Sequence, residues 1–458
     1  MSSQDFGYRQ ELKRTMGGFS SFAVSFSLIS VLTGIFANFN FGFREAGGWI
    51  LWSWTLVAFG QYLIAKVMAN LSVRFPIAGY GYQWTTRLVN PHFGFFIGWM
   101  LLIQFLTGFP GIAQTAALTL TSFAGWQLNE SSITILTILI ISLITYIHTR
   151  GIGLVARVND LGVYAELLGI LVLIGLIGWS VVGLMPEKIS ILFTGLNFET
   201  ASEPRFSSMA LSLLLGSWCL TGFEAAADLA EETQSPEKTV PVAVTRSLLS
   251  ASFAGFLIIG LLVMAAGDIY VAQGKSNPLI AILEQTLGKV PTSIIMVFII
   301  ISIFACAVAS MATASRLLFS MSRDNMFPFS SRLSYVNPKT RTPQSATIAV
   351  WGFSCSAVLI FRRIEVITSV SALASFIGYA GIMWACCREK FSLLPLTAFI
   401  WSLLVVAALA IPETNIPGLP SRHLPALAAL TVLILGTLVY LFYVGPRIKS
   451  GKAGPPKV

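Results

Sequence analysis

Four carboxylates follow a glycine in the middle of an otherwise apolar stretch, residues 218–236 (WCLTGFEAAADLAEETQSP). An apolar helix pattern over residues 207–223 is interrupted at Gly222. The carboxylates then recur at near-helical spacing, at Glu224, Asp228, Glu231 and Glu232. An unbroken helix of about 20 residues spans the hydrocarbon core of a bilayer. A break exposes backbone groups that lipid cannot satisfy, so this segment is predicted to line protein or a water-filled cavity.

The composition indicates that such a break lies in a membrane. Of 458 residues, 55% are hydrophobic and only 11% are charged, whereas soluble domains carry about 25% charged residues. We therefore expect an all-α polytopic membrane protein embedded in a lipid bilayer, with twelve apolar segments forming transmembrane helices. The net charge of +9 is attributed to the positive-inside rule, and no nucleic-acid partner is expected.

The same charges predict the orientation of the chain. Most of the 29 Lys and Arg residues fall in loops on the side of the N-terminus. This asymmetry predicts an integral protein of the plasma (inner) membrane with both termini cytoplasmic. Residues 1–14 are polar and charged, so no cleavable signal peptide is expected.

Patterns that would support catalysis are missing from the sequence. The cysteines and histidines form no CxxC, HExxH or other metal-ligand spacing, and no phosphate-binding glycine loop occurs. An intramembrane enzyme would need a nucleophile–base pair or a paired-aspartate motif, and Asp160 and Asp228 lie in no such motif. We expect no catalytic residues, no resident metal and no cofactor.

A second interruption gives the chain a coarse internal symmetry. The first apolar segment is interrupted at Thr33-Gly34 and the sixth at Thr221-Gly222. The two segments are five positions apart in the order of spans, and an odd offset gives related elements opposite topology, which predicts an inverted repeat. The expected organisation is one transmembrane domain over residues 1–458, with a first repeat at 18–184, an inverted second repeat at 206–386 and two added helices at 391–445.

Five motifs follow one another along the chain, at residues 8–14 (YRQELKR), 22–36 (FAVSFSLISVLTGIF), 75–84 (FPIAGYGYQW), 221–236 (TGFEAAADLAEETQSP) and 315–328 (SRLLFSMSRDNMFP). In this order they resemble motifs of the amino acid/choline transporter family, within the amino acid–polyamine–organocation superfamily. The resemblance implies the LeuT-like five-plus-five inverted repeat, with helices 1 and 6 broken. The wider superfamily carries Gly-Ser-Gly in the first break, where this chain has Leu32-Thr33-Gly34, so the resemblance leaves the substrate open.

The two breaks suit a zwitterionic or amine substrate. The N-terminal end of a half-helix can hold a carboxylate, and a C-terminal end can hold an ammonium group. By resemblance, aromatic side chains of the third and sixth helices wall the site, although core packing is an open alternative for them. The expected substrate-binding residues are Ser30, Thr33, Gly34, Phe105, Phe109, Trp218, Cys219, Thr221 and Gly222. Gln104 in the third helix is expected to contact substrate or a neighbouring helix.

Glu166 is a carboxylate two to three turns into the fifth apolar segment, where it is costly unless protonated or paired. By resemblance it aligns with a position where some superfamily members carry a lysine that replaces a sodium ion. It is expected either to bind the coupling proton or to complete a cation site with Cys306 and Ser310. The alternative is a structural glutamate that is hydrogen-bonded to a neighbouring helix.

The acids after the sixth-helix break are expected to pair with basic residues at the end of the eighth helix. Asp228, Glu231 and Glu232 would pair with Arg316 or Arg323 and form an inner gate, with a solvated charged surface as the alternative. We therefore expect Asp228, Arg316 and Arg323 to act as gate residues.

These expectations lead to one leading hypothesis and two alternatives. The leading hypothesis is a proton-coupled secondary transporter of an amino acid or small amino-acid-derived amine that works by alternating access. The first alternative is a sodium-coupled or exchange transporter of choline-, ethanolamine- or GABA-like amines. The second, more remote, is a non-transporting membrane sensor. The coupling ion (H⁺ or Na⁺) and the oligomeric state stay open.

Overall fold

The computed structural model describes residues 3–182, 188–196, 203–266, 278–410 and 424–456. Regular structure in this part of the chain is helical, with one isolated bridge between Met16 and Thr233. The helices are α1 (Gly18–Ile29), α2 (Val31–Ala46), α3 (Ile50–Arg74), α4 (Tyr80–Leu88), α5 (Pro91–Ala124), α6 (Glu130–Thr149), α7 (Ile152–Val182), α8 (Phe206–Cys219), α9 (Ala225–Asp228), α10 (Pro236–Ala266), α11 (Pro278–Leu287), α12 (Lys289–Arg323), α13 (Ser330–Leu333), α14 (Gln344–Phe361), α15 (Ile364–Glu389), α16 (Leu393–Ala410), α17 (Leu424–Val439) and α18 (Gly445–Lys449).

The described residues contain ten helical segments that are long and apolar enough to cross a membrane. The first of them, Gly18–Arg74, runs through α1, α2 and α3, and α8 is a shorter apolar helix. The all-helical membrane class is confirmed, whereas the count of twelve spans stays a prediction. The expected end of the first repeat, residue 184, lies outside the described residues.

The surface carries the signature of a membrane protein. α6, α7 and α16 turn large apolar side chains outward, among them Leu139, Leu171 and Leu404. Inside the molecule, α3 packs along α10, and α5 packs between α12 and α15. An apolar exterior around a packed helical interior is what a hydrocarbon solvent requires.

The first helix break lies at Ser30, three residues before the predicted Thr33-Gly34. Ser30 has φ 34°, in the left-handed region, and its amide donates to Phe26 O at 3.0 Å, which ends α1. Its side chain accepts from Thr33 N at 3.3 Å and so caps α2. Serine is a preferred capping residue because its hydroxyl satisfies an orphan amide. The expectation of a break at Thr33-Gly34 was therefore wrong by about one turn.

Gly34 serves close helix packing. A Cβ at this position would lie 2.3 Å from Sγ of Cys219. The glycine thus allows α2 to approach α8 at contact distance, which is the packing alternative for a glycine in a membrane helix.

The second break lies where the sequence placed it. α8 ends at Cys219, α9 begins at Ala225, and Gly222 between them has φ 95°. The hydroxyl of Ser25 donates to Phe223 O at 2.7 Å and accepts from Ala226 N at 3.0 Å. A single serine of α1 therefore satisfies one carbonyl and one amide that the break exposes, as buried backbone groups require.

Candidate functional site

A small cavity lies between the two helix breaks. Its volume is about 30 Å³, which is enough for a few water molecules. Of the residues predicted for the substrate and coupling sites, eight line it: Thr33, Phe105, Trp218, Cys219, Thr221, Gly222, Cys306 and Ser310. The residues that line it include no aspartate, glutamate, lysine or arginine.

Three of the predicted substrate-binding residues, and the predicted coupling residue Glu166, lie outside the lining. Ser30 and Gly34 occupy the cap of α2 and its packing surface against α8, as described above. Phe109 is buried but does not reach the cavity. At 3.6 residues per turn, the α5 residues that line the cavity fall within an arc of about 100°, and Phe109 lies beyond it. Those lining residues are Gln104, Phe105, Gly108 and Ile112.

The end of α1 presents carbonyl oxygens to thiols at the cavity. Sγ of Cys306 donates to Leu28 O at 3.4 Å, and Sγ of Cys219 donates to Ile29 O at 3.5 Å. Thiols are weak donors, and the C-terminal end of a helix carries partial negative charge. This wall of the cavity therefore favours a positively charged group such as an ammonium.

Glu224, directly after the second break, is held by donors from three parts of the fold. Its Oε1 accepts from Gln104 Nε2 at 2.9 Å and from the Tyr379 hydroxyl at 2.7 Å. Its Oε2 accepts from Gly222 N at 3.0 Å. Ser371 of α15 also donates to Gln104 O at 2.8 Å. The carboxylate thereby joins α5, the α8–α9 break and α15 beside the cavity.

This network was only partly visible in the sequence. Glu224 beside a break and Gln104 in an apolar helix were both recognisable as costly polar groups. Tyr379 and Ser371 were not singled out, since neither stands out in a chain rich in aromatic and small polar residues.

Glu166 lies deep in the protein beside the first break, with 1% of its surface exposed. Its carboxylate lies next to the hydroxyls of Ser30 and Ser302 and the amides of Val31 and Leu32. Neither carboxylate oxygen completes a hydrogen bond of good geometry. Within the described part of the chain, no basic residue forms an ion pair with it.

Cys306 and Ser310, which were predicted to complete a cation site with Glu166, lie at successive turns of α12. Ser302, Cys306 and Ser310 share one face of α12 because they are four residues apart. Ser302 is nearest to the first break, where its hydroxyl lies 3.2 Å from that of Ser30. Cys306 contacts the end of α1, and Ser310 lines the cavity. Sequence reasoning overlooked Ser302.

Two ion pairs, one buried and one partly exposed at its arginine, join the segment after α9 to the end of α12. Arg316 Nε lies 2.7 Å from Glu232 Oε1, and both side chains are 1% exposed. Arg323 lies 3.0 Å from Glu231 Oε1. Buried pairs of this kind hold two elements together because removing one partner strands the other charge.

Asp228 has a different partner from the one predicted for it. Its Oδ1 accepts from Gly79 N at 2.8 Å, and Oε1 of Glu231 accepts from Ala78 N at 3.2 Å. The loop between α3 and α4 packs against Asp228 and Glu231 and supplies these backbone donors. The expected pairing of Asp228 with an arginine is therefore corrected: the arginines pair with Glu231 and Glu232.

The N-terminal strap, residues 8–16, covers this cluster. The amides of Thr15 and Met16 donate to Glu232 O at 3.0 and 2.9 Å, and Gln10 Nε2 donates to Glu231 O. The Tyr8 hydroxyl donates to Asp324, and burial followed by the nearby Asp324 charge raises the pKa of Tyr8. The phenol thus stays protonated as a donor. Sequence reasoning used residues 8–14 only as part of a family motif.

Both termini meet on this face of the molecule. Gly454 N donates to Asp324 O at 2.9 Å, beside the Tyr8 contact. We call this side the termini face. On the opposite side of the cavity, the Thr368 hydroxyl of α15 donates to Asn38 Oδ1 of α2 at 3.2 Å, and both residues are buried. The cavity therefore lies between the ion pairs beside the termini face and this buried hydrogen bond.

Two broken helices around a central cavity define a transporter architecture, and comparison with known proteins identifies the family. The model of the amino acid permease family matches residues 16–439. The chain therefore belongs to the amino acid permease family, which confirms the resemblance inferred from the motifs. Membership also identifies it as an integral membrane protein that handles a small molecule.

Named relatives agree with this assignment. Amino-acid permease BAT1 of Arabidopsis thaliana is 26% identical over 416 residues, which cover 82% of this chain and 78% of the relative. Its homolog in Oryza sativa subsp. japonica is 24% identical over 413 residues, with the same shares covered. Amino-acid permease 2 of Neurospora crassa is 24% identical over 397 residues, covering 83% of this chain and 70% of the relative.

A solved structure confirms the predicted LeuT-like fold class. It is described as the substrate-bound outward-open state of a Na⁺-coupled sialic acid symporter. It superposes with a TM-score of 0.55 and covers 88% of this chain and 92% of its own. At 15% sequence identity, the similarity concerns the fold alone.

Proposed function

We propose that this protein is a secondary active transporter that moves an amino acid or a small amino-acid-derived amine by alternating access. The single observation that carries this is the cavity between the two helix breaks, with closing contacts on either side. A volume of about 30 Å³ is too small for an amino acid, so it describes a contracted site that must widen to load substrate.

The chemistry of the cavity supports a zwitterionic substrate. Its lining contains polar but no charged side chains, so the partial charges of the broken helix ends are what can complement a charged substrate group. The α1 carbonyls suit an ammonium group, and the Ser310 hydroxyl in the lining can donate to a carboxylate. Glu224 is occupied by its three donors and does not demand a cationic partner.

Two aromatic side chains support the alternative substrate class. Phe105 and Trp218 both line the cavity. Aromatic faces bind quaternary and primary amines through cation–π contacts. A choline-, ethanolamine- or GABA-like amine, moved by sodium coupling or exchange, is therefore the second candidate.

Proton coupling is assigned to Glu166. A buried carboxylate without a basic partner is stable when it is protonated or when it binds a cation. Its position beside Ser30 links it directly to the joint between α1 and α2. Movement of α1 would change the surroundings of this carboxylate, which is the differential interaction that coupling requires.

The orientation follows from charge and from the termini face. We place this face in the cytoplasm and the protein in the plasma membrane, because basic residues cluster in the loops on the side of the N-terminus. The ion pairs of Glu231 and Glu232, covered by the strap, then form the inner gate.

Uptake into proteoliposomes tests the proposal. Purified protein is reconstituted with an imposed pH gradient, an imposed sodium gradient or neither, and supplied with radiolabelled amino acids and amines in separate assays. Accumulation of an amino acid driven by the pH gradient is expected. Accumulation of choline or ethanolamine that needs sodium supports the second candidate. A protein that binds none of these compounds and accumulates none contradicts both.

A further inference from the structure

A second, larger cleft opens on the termini face, away from the central cavity. Its volume is about 690 Å³, and three segments form its walls. They are the strap near Lys13, the junction of α6 and α7 near Arg150, and the loop before α14 near Lys339 and Arg341. The cleft is far larger than the cavity at the helix breaks and is built from different residues.

The cleft is strongly basic. Lys13, Arg150, Lys339 and Arg341 line it against a single acid, Glu11. Within the described residues none of these four cations takes part in an ion pair. The Arg341 guanidinium donates only a long hydrogen bond of 3.5 Å to Glu11 O. Cations gathered without counterions repel one another, and an anion between them removes that repulsion.

One edge of the cleft borders the lipid-facing surface. The Arg150 guanidinium lies over the ring of Tyr146, 4.6 Å from its centroid, and donates to its hydroxyl. Tyr146 is exposed on α6, and Leu143 and Leu139 lie exposed further along the same helix face. An arginine supported by an interfacial tyrosine at the end of a lipid-facing helix is well placed for a headgroup phosphate.

We propose that this cleft is a binding site for a phosphate-bearing anion. The anion is either the headgroup of an anionic phospholipid or a free phosphorylated compound. Arginine and lysine are the side chains that recognise phosphate, arginine through its planar fork and lysine as a point charge.

Binding here acts on the inner gate. Lys13 belongs to the strap, whereas Lys339 and Arg341 belong to the loop before α14. An anion that contacts both groups is bound only while the strap is seated, so it favours the closed termini face. The binding does not depend on the proposed transport function, but the consequence for transport does.

The test uses two double variants that lose the same charge. Lys13→Gln/Lys339→Gln removes one cation from each side of the cleft, and Lys238→Gln/Lys390→Gln removes two exposed lysines outside it. All four lysines are exposed, so both variants are expected to fold. The melting temperature and the hydrogen exchange of strap amides are measured for full-length protein.

Two probes distinguish the sources of the anion. Phosphatidylcholine nanodiscs are compared with and without phosphatidylglycerol, and detergent-purified protein is titrated with inorganic phosphate or pyrophosphate at constant ionic strength. We expect at least one probe to raise the melting temperature and slow strap exchange in the wild type and the control variant. Binding to the cleft variant should be weaker by about tenfold or more.

Each outcome decides the proposal. A response to phosphatidylglycerol alone assigns a lipid headgroup, and a response to the soluble anions assigns a free phosphorylated compound. If the two double variants respond equally to a probe, the effect is due to general surface charge, and the proposed site is overturned. Absence of any response to all the probes overturns it as well.

Discussion

The hydroxyl of Tyr8 donates to Oδ1 of Asp324 at 2.8 Å, joining the start of the chain to the end of α12 across 316 positions of sequence. The guanidinium carbon of Arg323 lies 3.7 Å from the centre of the Tyr8 ring, and Arg323 also pairs with Glu231. One phenol thus contacts two consecutive charged residues, the last residue of α12 and the one that follows it. It links the strap to the ion pairs of the proposed inner gate.

Tyr8→Phe is expected to loosen the strap without removing its ring. The variant keeps the contact with Arg323 but loses a hydrogen bond to a charged group, worth about 1.5–3 kcal/mol. Hydrogen exchange at the amides of Thr15 and Met16 should accelerate. Tyr335→Phe, which changes an exposed tyrosine near α13, serves as the control. Unchanged strap exchange in Tyr8→Phe would show that the bond does not hold the strap.

Gly222→Ala is expected to abolish uptake. The residue has φ 95°, which side chains with a Cβ rarely adopt, and a Cβ there would lie 2.6 Å from Leu28 Cγ. The second break must therefore distort or push against α1. Gly175→Ala is the matched control, because a Cβ at Gly175 of α7 meets nothing within 4 Å. Wild-type uptake and substrate affinity in Gly222→Ala would place the site elsewhere.

The buried pair of Arg316 and Glu232 is expected to be energetically coupled. Arg316→Gln or Glu232→Gln alone strands a buried charge and should cost about 3–5 kcal/mol. The double variant should cost less than the sum, with a coupling energy of about 1–3 kcal/mol in thermal or denaturant unfolding.

The exposed pair of Arg74 and Glu389 provides the comparison for this cycle. Their side chains are 49% and 36% exposed, so the same pair of substitutions should show coupling below about 1 kcal/mol. If the coupling energy of Arg316 and Glu232 is no larger than that of the exposed pair, their role in closing the termini face is contradicted.

Glu166→Gln is expected to separate substrate binding from coupling. Glutamine imitates the neutral carboxylic acid in shape but cannot release a proton. Uptake driven by a pH gradient should fall to the level of passive leak, while substrate binding and exchange are retained. Glu130→Gln, at the exposed start of α6, is the control for the chemical change. Full gradient-driven uptake by Glu166→Gln would show that Glu166 does not carry the coupled proton and has only a structural role.

Local sequence was sufficient for the class of protein and for one break. Apolar runs with few charges predict membrane helices because lipid tolerates little else. Gly222 followed by Glu224 located the second break, since the positive φ and the buried carboxylate belong to residues only two positions apart. The motifs likewise led to the right family. These properties depend on residues that are neighbours in the chain.

The remaining features were decided by residues far apart in sequence. The first break lies at Ser30 because its hydroxyl caps α2 and meets Ser302, while Gly34 packs against Cys219. Asp228 accepts from Gly79 N because the loop after α3 packs against it, while the two arginines pair with Glu231 and Glu232. The hydrogen-bond partner of a buried polar group depends on how the helices pack against one another. The residue pattern along one helix does not indicate which other helices will be its neighbours.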